Sequence, residues 1–335
     1  MHKEHIDFVL IWVDSSDPEW QAEFLKYRGA EGDKRVCRFR DMGTLRYWFR
    51  GVEKFTPWVN KVYFVTCGQW PDWLNKEHPK LVCVRHDEFI PAEYLPTFSS
   101  HTIELNLHRI SNLSERFVYF NDDTFLIGPM QEKDFFLRGL PRDQAILEIC
   151  VPVFRPLFLT PIANASLLNR HFNKKEIMLR YFGKFFSPIY GAANILRNLK
   201  HFTGARIPGF RTDHLPSAFL KSTFQEIWSA EPELLDSVCR HKFRVLTDIN
   251  QWALRGWQYC TGQFVPVGNR GKYYGIGSAQ DAEFAAKVIS NSRHRMVCLN
   301  DGLDNMTEPD DFKQIQVWLQ QGIEKILPEK SSFER

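Results

Sequence analysis

The 335-residue sequence has few of the features that mark fibrous, disordered, membrane-spanning or disulfide-linked proteins. It contains only 19 glycines and 18 prolines, which excludes a collagen-like or low-complexity chain. No apolar run approaches the roughly 20 residues that a spanning helix requires, so we predict neither a transmembrane segment nor a signal peptide. The seven cysteines are odd in number and include no CxxC pair, which argues against a disulfide framework and a structural zinc site. We therefore expect a reducing, cytoplasmic location.

The composition is that of a folded globular protein. Apolar residues make up 44% and charged residues 25% of the chain, close to the globular average. This length is enough for one large α/β domain or two ordinary ones. Aromatic residues reach 14%, and their faces suit stacking on sugars or bases, although core packing accounts for most of them.

Positive charge is concentrated in one segment. Residues 170–211 hold nine Lys or Arg and one acid, a local balance of +8, whereas the rest of the chain has 34 basic and 39 acidic residues. Aromatic residues alternate with the bases in RYFGKFFSPIY. This pattern is typical of a surface that contacts a polyanionic glycan, nucleic acid or anionic lipid, but also of an ordinary solvated insertion. Because no nucleic-acid-binding motif accompanies the bases, we expect no nucleic-acid partner.

The first 150 residues alternate between strand and helix patterns. Strands are predicted at 6–13, 61–68, 81–87 and 117–123. Helices are predicted at 44–55 and 99–110, where apolar residues recur at spacings of three and four. Strands separated by helices form a parallel sheet, and ligands of open α/β folds bind at the carboxyl ends of its strands.

Polar residues follow all four predicted strands. They are Asp14 and Asp17, Thr66 to Gln69, His86 and Asp87, and Asn121 to Asp123. Adjacent carboxylates at 122 and 123 repel each other unless a cation binds, and such oxygen ligands suit Mg²⁺ or Mn²⁺ holding a diphosphate. The alternative for an isolated Asp-Asp pair is a turn with a helix cap.

The predicted helix at 99–110 places His101, Glu104 and His108 on one face. These residues could form a metal triad, but they do not match the HExxH pattern of zinc proteases. A salt-bridged polar helix face is the favoured interpretation.

The second half contributes a histidine and two arginines. The pattern predicts a helix through residue 228 with Pro216 in its first turn, so that His214 lies just before a helix N-terminus. That position favours a neutral imidazole, the form that a general base requires, although a structural histidine is the usual finding there. Arg211 and Arg244 are candidates for phosphate contacts. A strand ending at Asn300-Asp301 and a helix at 310–327 complete the predicted fold.

Four sequence blocks in order resemble those of the Stealth family. The blocks begin at IDFVLIWVDSSDPEW, RFRDMGTLRYWFRGVEKF, DHLPSAFLK and VCLNDGLD, the second continues to RFVYFNDDTFL, and together they leave out mainly the segment 150–205. The family comprises bacterial capsular-polysaccharide sugar-phosphate transferases and the animal N-acetylglucosamine-1-phosphotransferase precursor. The resemblance implies a Rossmann-like, glycosyltransferase-A-like α/β fold with a mostly parallel sheet flanked by helices and a helical insertion.

The resemblance also implies an activity and its residues. The reaction is transfer of a sugar-1-phosphate from a nucleotide-sugar donor to a sugar hydroxyl of an oligosaccharide or polysaccharide, releasing a nucleoside monophosphate. It implies that Asp122 and Asp123 hold the metal and diphosphate, that His214 is the base, and that Arg211 or Arg244 binds phosphate. The donor site would include Asp14, Asp17, Arg40, Asp41, Gln69, Glu104, His108 and Arg109.

Two departures from the family pattern leave an acid or amide role open. Residues 42–44 stand where Asn and Glu are common, and Cys67 stands where Asn is common. The predicted organisation is a nucleotide-sugar-binding core at 1–150, a basic insertion at 151–210 that could contact a membrane, and a C-terminal part at 211–335. The alternatives are an ordinary glycosyltransferase that releases a nucleoside diphosphate, and a non-catalytic glycan-binding protein.

Overall fold

The computed structural model describes residues 5–151, 159–291, 293–303 and 309–335. Within these ranges the strands β1 to β11 span Ile6–Ile11, Val62–Thr66, Leu81–Arg85, Arg116–Phe120, Thr124–Leu126, Phe136–Leu137, Leu140–Asp143, Ser217–Leu220, Val265–Pro266, Gly271–Ile276 and Met296–Asp301. The helices α1 to α13 span Pro18–Lys26, Leu45–Phe55, Ser100–Asn106, Glu132–Phe135, Thr160–His171, Lys174–Arg180, Phe182–Phe185, Ala192–Lys200, Lys221–Ala230, Pro232–Arg240, Gln251–Thr261, Ala279–Ile289 and Pro309–Glu324. The predicted α/β class is confirmed.

The main sheet has five strands in the order β3-β2-β1-β4-β8. The first four are mutually parallel, and β8 pairs with β4 in the antiparallel direction. In β1, Phe8 and Leu10 pack into one hydrophobic cluster while Val9 and Ile11 pack into another on the opposite face. A strand that is covered on both sides has apolar residues on both faces, which is why IDFVLI shows no alternation. The exception is Asp7, which is buried and accepts hydrogen bonds from Asn60 Nδ2 and the backbone N–H of Ser114. The predicted mostly parallel sheet flanked by helices is confirmed.

A second sheet, in the order β10-β11-β5, meets the main sheet at the end of β4. The chain leaves β4 at Phe120 and enters β5 at Thr124, so residues 121–123 connect the two sheets. Strand β5 pairs with β11, and the backbone N–H of Leu299 donates to the carbonyl of Asp123 at 2.8 Å. This pairing brings the end of β11 beside the acidic pair. A small third sheet contains β6, β7 and β9.

The predicted helical insertion is formed by α5 to α8. Two of its basic residues are structural, because Lys174 donates to the carbonyl of Thr203 and Lys184 to those of Gly262 and Phe264. Residues 152–158, at its predicted start, lie outside the described residues. The division of the chain at 150 and 210 stays a prediction. Among the described residues, no helix has both the length and the apolar content needed to cross a bilayer.

The prediction of a helix directly after His214 is wrong for the first turn of that helix. Residues Ser217–Leu220 form the edge strand β8, and α9 begins only at Lys221. A short apolar run fits a strand or a buried helix equally well, and here the open edge of β4 decides, with Phe219 opposite Phe117 in the sheet. His214 therefore lies before a strand, and the argument from a helix N-terminus does not apply to it.

Candidate active site

A cavity of about 430 Å³ lies at the carboxyl ends of the parallel strands. Its wall includes residues that follow each of β1 to β4, namely Trp12 and Val13, Cys67, His86, and Asn121 to Asp123. Segments from the second half complete the wall. They contribute His214, Arg244, the start of α11 at 250–252 and the end of β11 at 299–301. The carboxyl edge of the sheet is thus the site of the cavity, as expected for an open α/β fold.

Carboxylates are concentrated on one side of this cavity. Burial, together with the charges of the neighbouring Asp123 and Asp41, raises the pKa of Asp122 to about 8. Burial also raises the pKa of Asp41, although the backbone N–H of Gly43 donates to its Oδ1 at 2.7 Å. Three acids so close together are each costly to ionise without a nearby cation. The site therefore has the charge of a cation-binding site.

The two carboxylate oxygens of Asp123 differ in their contacts. Its Oδ2 accepts a hydrogen bond from Asn300 Nδ2 at 2.9 Å and lies 3.4 Å from the Cys298 sulfur. Its Oδ1 is buried, has no hydrogen-bond partner among the described residues, and lies 3.6 Å from His214 Nε2. Ligand atoms of Asp123, His214 and Cys298 all lie within 4.8 Å of one another.

These residues fit a divalent cation that prefers oxygen ligands. Burial and the charge of Asp123 raise the pKa of Cys298 well above its usual range, so its sulfur stays a thiol and is a poor ligand. The carboxylates of Asp122 and Asp123 remain as the natural ligands for Mg²⁺ or Mn²⁺. The unpaired Oδ1 of Asp123 is the atom that such an ion would satisfy.

A chain of hydrogen bonds leads from the buried core to His214. Asn121 lies 2.7 Å from His214 Nε2, and its amide oxygen lies 2.5 Å from the Tyr119 hydroxyl. The same hydroxyl lies 3.2 Å from Glu104 Oε1, whose other oxygen accepts from the backbone N–H of Gln251 at 3.1 Å. Burial raises the pKa of Tyr119 well above its usual range, so the hydroxyl keeps its proton. This chain fixes the imidazole ring from one side.

Two aromatic rings flank the same imidazole. Trp252 meets it edge to face with centroids 5.9 Å apart, and Tyr273 stacks on it with centroids 6.4 Å apart. The ring of His214 is therefore oriented by packing as well as by hydrogen bonds.

Three arginines line the cavity, and one of them has no counter-ion among the residues that the structure describes. Arg38 pairs with Asp33 at 3.0 Å and Arg40 with Asp301 at 2.9 Å. Within the described part of the chain, no carboxylate lies within 4 Å of the Arg244 guanidinium. Burial, and then the charge of Arg38, lowers the pKa of Arg244. A half-buried guanidinium without a counter-ion is costly for the folded protein, and it suits an anionic ligand.

Asp14, Asp17 and Gln69, predicted in the donor site, lie beside the cavity wall and bind one another. Gln69 Nε2 donates to the carbonyl of Asp14 at 2.8 Å and to Asp17 Oδ2 at 3.0 Å. Asp17 also caps α1. These residues hold the loop that follows β1, whose Trp12 and Val13 line the cavity.

The structure does not bring Arg211, His108 or Arg109 into the cavity. Arg211 donates to Asn194 and Gln144 instead. The helix turns into a 3₁₀ turn after Asn106, so His108 and Arg109 pack near Trp228 on its far side. The predicted shared face of His101, Glu104 and His108 is therefore wrong. His101 and Glu104 line the cavity without His108, and His101 Nδ1 lies 3.5 Å from Asp248 Oδ2.

Sequence reasoning missed part of this site. Tyr119, Arg38 and Trp252 were not expected there, and only Tyr119 had a signal, because it lies two residues before Asn121 on the same strand face. No spacing in the sequence links Trp252 or Arg38 to the acids.

A cavity with this lining, at the carboxyl edge of a mostly parallel sheet, defines the chain as an α/β enzyme. The family profile described as Stealth protein CR2, conserved region 2, matches residues 38–142. The capsular polysaccharide phosphotransferase WcwK of Streptococcus pneumoniae is 39% identical, over 99% of this chain and 98% of its own length. The receptor polysaccharide phosphotransferase WefC of Streptococcus oralis is 39% identical, over 98% of this chain and 99% of its own length. The chain therefore belongs to the Stealth family and is a transferase, which confirms the resemblance.

A solved galactosyltransferase, LgtC, with donor and acceptor sugar analogues, also aligns with the chain. The alignment covers 93% of this chain and 95% of that protein, with 10% identity and a TM-score of 0.38. A likeness this loose carries no argument about function.

Proposed function

We propose that the chain transfers a sugar-1-phosphate from a nucleotide-sugar to a hydroxyl of a growing capsular or cell-surface polysaccharide. The reaction joins donor phosphorus to acceptor oxygen as a phosphodiester and releases a nucleoside monophosphate. The names of the relatives, which are polysaccharide phosphotransferases, support this class of reaction. The donor is a nucleotide-sugar and the acceptor an oligosaccharide or polysaccharide. We expect no nucleic-acid partner, and a cytoplasmic location is supported by seven free cysteines.

One observation carries the proposal: acids and an unpaired arginine meet in the same cavity. Asp122 and Asp123 lie on one side, and the Arg244 guanidinium is close enough to Asp122 to lower its pKa. A metal-bound diphosphate has the charges that complement both groups, because the cation meets the acids and the phosphate oxygens meet the guanidinium. Asp122 and Asp123 would hold Mg²⁺ or Mn²⁺, which neutralises phosphate charge when it is bound.

His214 takes the role of general base. The acceptor hydroxyl gives its proton to the imidazole as its oxygen attacks phosphorus, and the bond to the nucleoside monophosphate breaks. In the structure the Asn121 amide nitrogen lies 2.7 Å from Nε2, and the amide oxygen accepts from the Tyr119 hydroxyl. For Nδ1 to accept the proton, Nε2 must carry the other hydrogen, so the Asn121 amide must be turned over. In the turned-over amide, the oxygen accepts from Nε2 and the nitrogen donates to Tyr119, whose hydroxyl donates to Glu104. Asn121 and Tyr119 are positioning residues in this scheme, since they set the tautomer.

Positioning and charge account for the rest of the catalysis. Phosphoryl transfer needs little covalent help from the protein, so holding the diphosphate between the acids and Arg244 supplies most of the rate. Trp12 and Trp252 in the cavity wall offer aromatic faces on which sugar rings can stack.

The test is to identify the nucleotide that is set free. The purified chain is incubated with a panel of nucleotide-sugars, Mg²⁺ and oligosaccharide primers, and the products are analysed by chromatography and ³¹P NMR. We expect a nucleoside monophosphate and a new phosphodiester signal. A nucleoside diphosphate without a phosphodiester would show an ordinary glycosyltransferase instead. No turnover with any donor, together with binding of the primers, would show a glycan-binding protein.

A further inference from the structure

The insertion exposes a group of large apolar side chains. Leu179, Phe182, Ile189, Leu196 and Leu199 are each between 48% and 60% exposed, and they lie within 21 residues of the chain. We call them the apolar face. Phe182 packs on Phe186, and Phe186 packs on Phe202 just beyond α8, so the elements that carry these residues are in contact. Single exposed apolar residues are common, but a group of five indicates an interaction surface.

The polar and apolar sides of helix α8 are reversed relative to those of an ordinary surface helix. Its buried position is polar, because the Asn198 amide donates to the carbonyls of Ala145 and Phe185 and accepts from the N–H of Leu147. Its exposed positions are mainly apolar, namely Ala192, Ala193, Leu196, Leu199 and Lys200. A surface helix normally turns its apolar side to the core and its polar side to water. The exposed side of α8 is therefore suited to contact with an apolar environment outside the protein.

Positively charged residues adjoin members of the apolar face in the chain. Lys175, Arg180 and Lys200 are exposed, and among the described residues none of them pairs with a carboxylate. Arg180 directly follows Leu179, and Lys200 directly follows Leu199. Glu176 is the one acid between residues 170 and 211. The surface thus combines aliphatic side chains with unpaired positive charge.

We propose that this surface docks on an anionic lipid bilayer. Leu, Ile and Phe enter the boundary between headgroups and acyl chains, and the Lys and Arg side chains contact lipid phosphates. The charge argues against a second copy of the chain, since a symmetric contact would place like charges together. Exposed leucines and an isoleucine also fit acyl chains better than a polyanionic glycan, which offers hydroxyl and acid groups.

The proposed docking surface lies next to the active site. Arg211 donates to Asn194 of α8 at 3.1 Å and is three residues from His214. Docking would therefore hold the cavity near the membrane surface. This inference stands apart from the proposed function, because binding to vesicles requires no turnover.

The test is flotation of the full chain with vesicles. Vesicles of pure phosphatidylcholine are compared with vesicles that contain 30% phosphatidylglycerol. We expect binding to the anionic vesicles, little binding to the neutral ones, and weaker binding at high salt. The triple substitution K175E/R180E/K200E should weaken binding at least about a hundredfold, from about fivefold for each charge removed near the surface.

The apolar contribution is tested with L196E/L199E. Its matched control is L25E/F284E, because Leu25 and Phe284 are equally exposed but lie outside the insertion. We expect only L196E/L199E to lose binding, with the thermal unfolding midpoint of both variants unchanged. Binding that is absent, equal for both vesicle types, or reduced equally by the control would overturn the proposal. A dimer of the native chain that L196E/L199E converts to a monomer would assign the face to self-association and would also overturn it.

Discussion

The substitution Arg244→Gln separates a ligand-binding role of this arginine from a structural one. The backbone of Arg244 accepts a hydrogen bond from the N–H of Asp33 at 2.8 Å, and the substitution leaves this contact in place. The guanidinium itself faces the cavity with no carboxylate within 4 Å among the described residues. Burial lowers its pKa, so its positive charge destabilises the folded protein without a ligand. Removal of the charge should therefore not lower the thermal unfolding midpoint.

The expected loss of activity follows from the contacts that a phosphate would make. Two charge-assisted hydrogen bonds contribute about 1.5–3 kcal/mol each, or about 3–6 kcal/mol together. That energy corresponds to a loss in kcat/KM of about 10²–10⁴-fold. Arg244→Lys keeps the charge but not the forked geometry, so we expect it to recover only part of the loss.

The assay measures release of the nucleoside monophosphate from the best donor of the panel, with the unfolding midpoint measured on the same samples. Arg211→Gln is the matched control, because Arg211 binds Asn194, Gln144 and Asp213 outside the cavity. We expect Arg211→Gln to lower kcat/KM by no more than about fivefold, which corresponds to about 1 kcal/mol. Equal losses for Arg211→Gln and Arg244→Gln, or a lower unfolding midpoint for Arg244→Gln, would refute this reasoning.

Four further predictions follow from the site and its surroundings. Asp123→Asn should weaken Mn²⁺ binding, measured by electron paramagnetic resonance, and lower turnover about 10³-fold, so unchanged metal dependence would contradict the metal assignment. His214→Ala should lower kcat about 10²–10⁴-fold, and near-full turnover would eliminate the base. Tyr119→Phe should lower kcat about tenfold with little change in KM, and should have no further effect in the His214→Ala background. Burial lowers the pKa of His108 to about 4. Since the unfolded chain takes up this proton near pH 6.5, the free energy of unfolding should fall by about 2 kcal/mol from this residue between pH 7 and pH 5. His108→Gln should remove that part of the decrease, and urea unfolding at both pH values measures it.

Long apolar runs made the main sheet predictable from the sequence. The run IDFVLI can be assigned to a strand from its own sequence, because a short and nearly continuous apolar run is typical of a strand that is buried on both faces. The order of strands and helices then predicted the parallel sheet, and the sheet predicted that residues after β1 to β4 share one cavity. Residues after all four strands line the cavity, but after β1 these are Trp12 and Val13 in place of the predicted Asp14 and Asp17. These features depend on residues that are close together in the chain, so they can be predicted from the sequence.

Features that depend on distant contacts were not predictable in this way. The 3₁₀ turn after Asn106 rotates His108 away from Glu104, and no residue in the segment marks that change. Asp87 follows β3 as predicted, but it pairs with Arg85 at the surface and leaves His86 to line the cavity. In the link from Tyr119 through Asn121 to His214, the contact between Asn121 and His214 joins residues 93 positions apart. Only the sheet register places them together.

Strand β8, which the sequence pattern assigned to a helix, is the element that places His214 beside the acids. In the antiparallel register, Tyr119 lies opposite Ser217 and Val118 opposite Ala218. Asn121 follows the end of β4 and His214 precedes the start of β8, and beyond these paired strand ends the two side chains lie 2.7 Å apart. A helix at 216–220 would not have paired with β4. Backbone pairing would then not have set the position of His214 relative to the end of β4. The meeting of the base with the acidic pair is thus set by backbone pairing. A shift of this register by one residue would reverse the side-chain directions and separate the imidazole from Asn121.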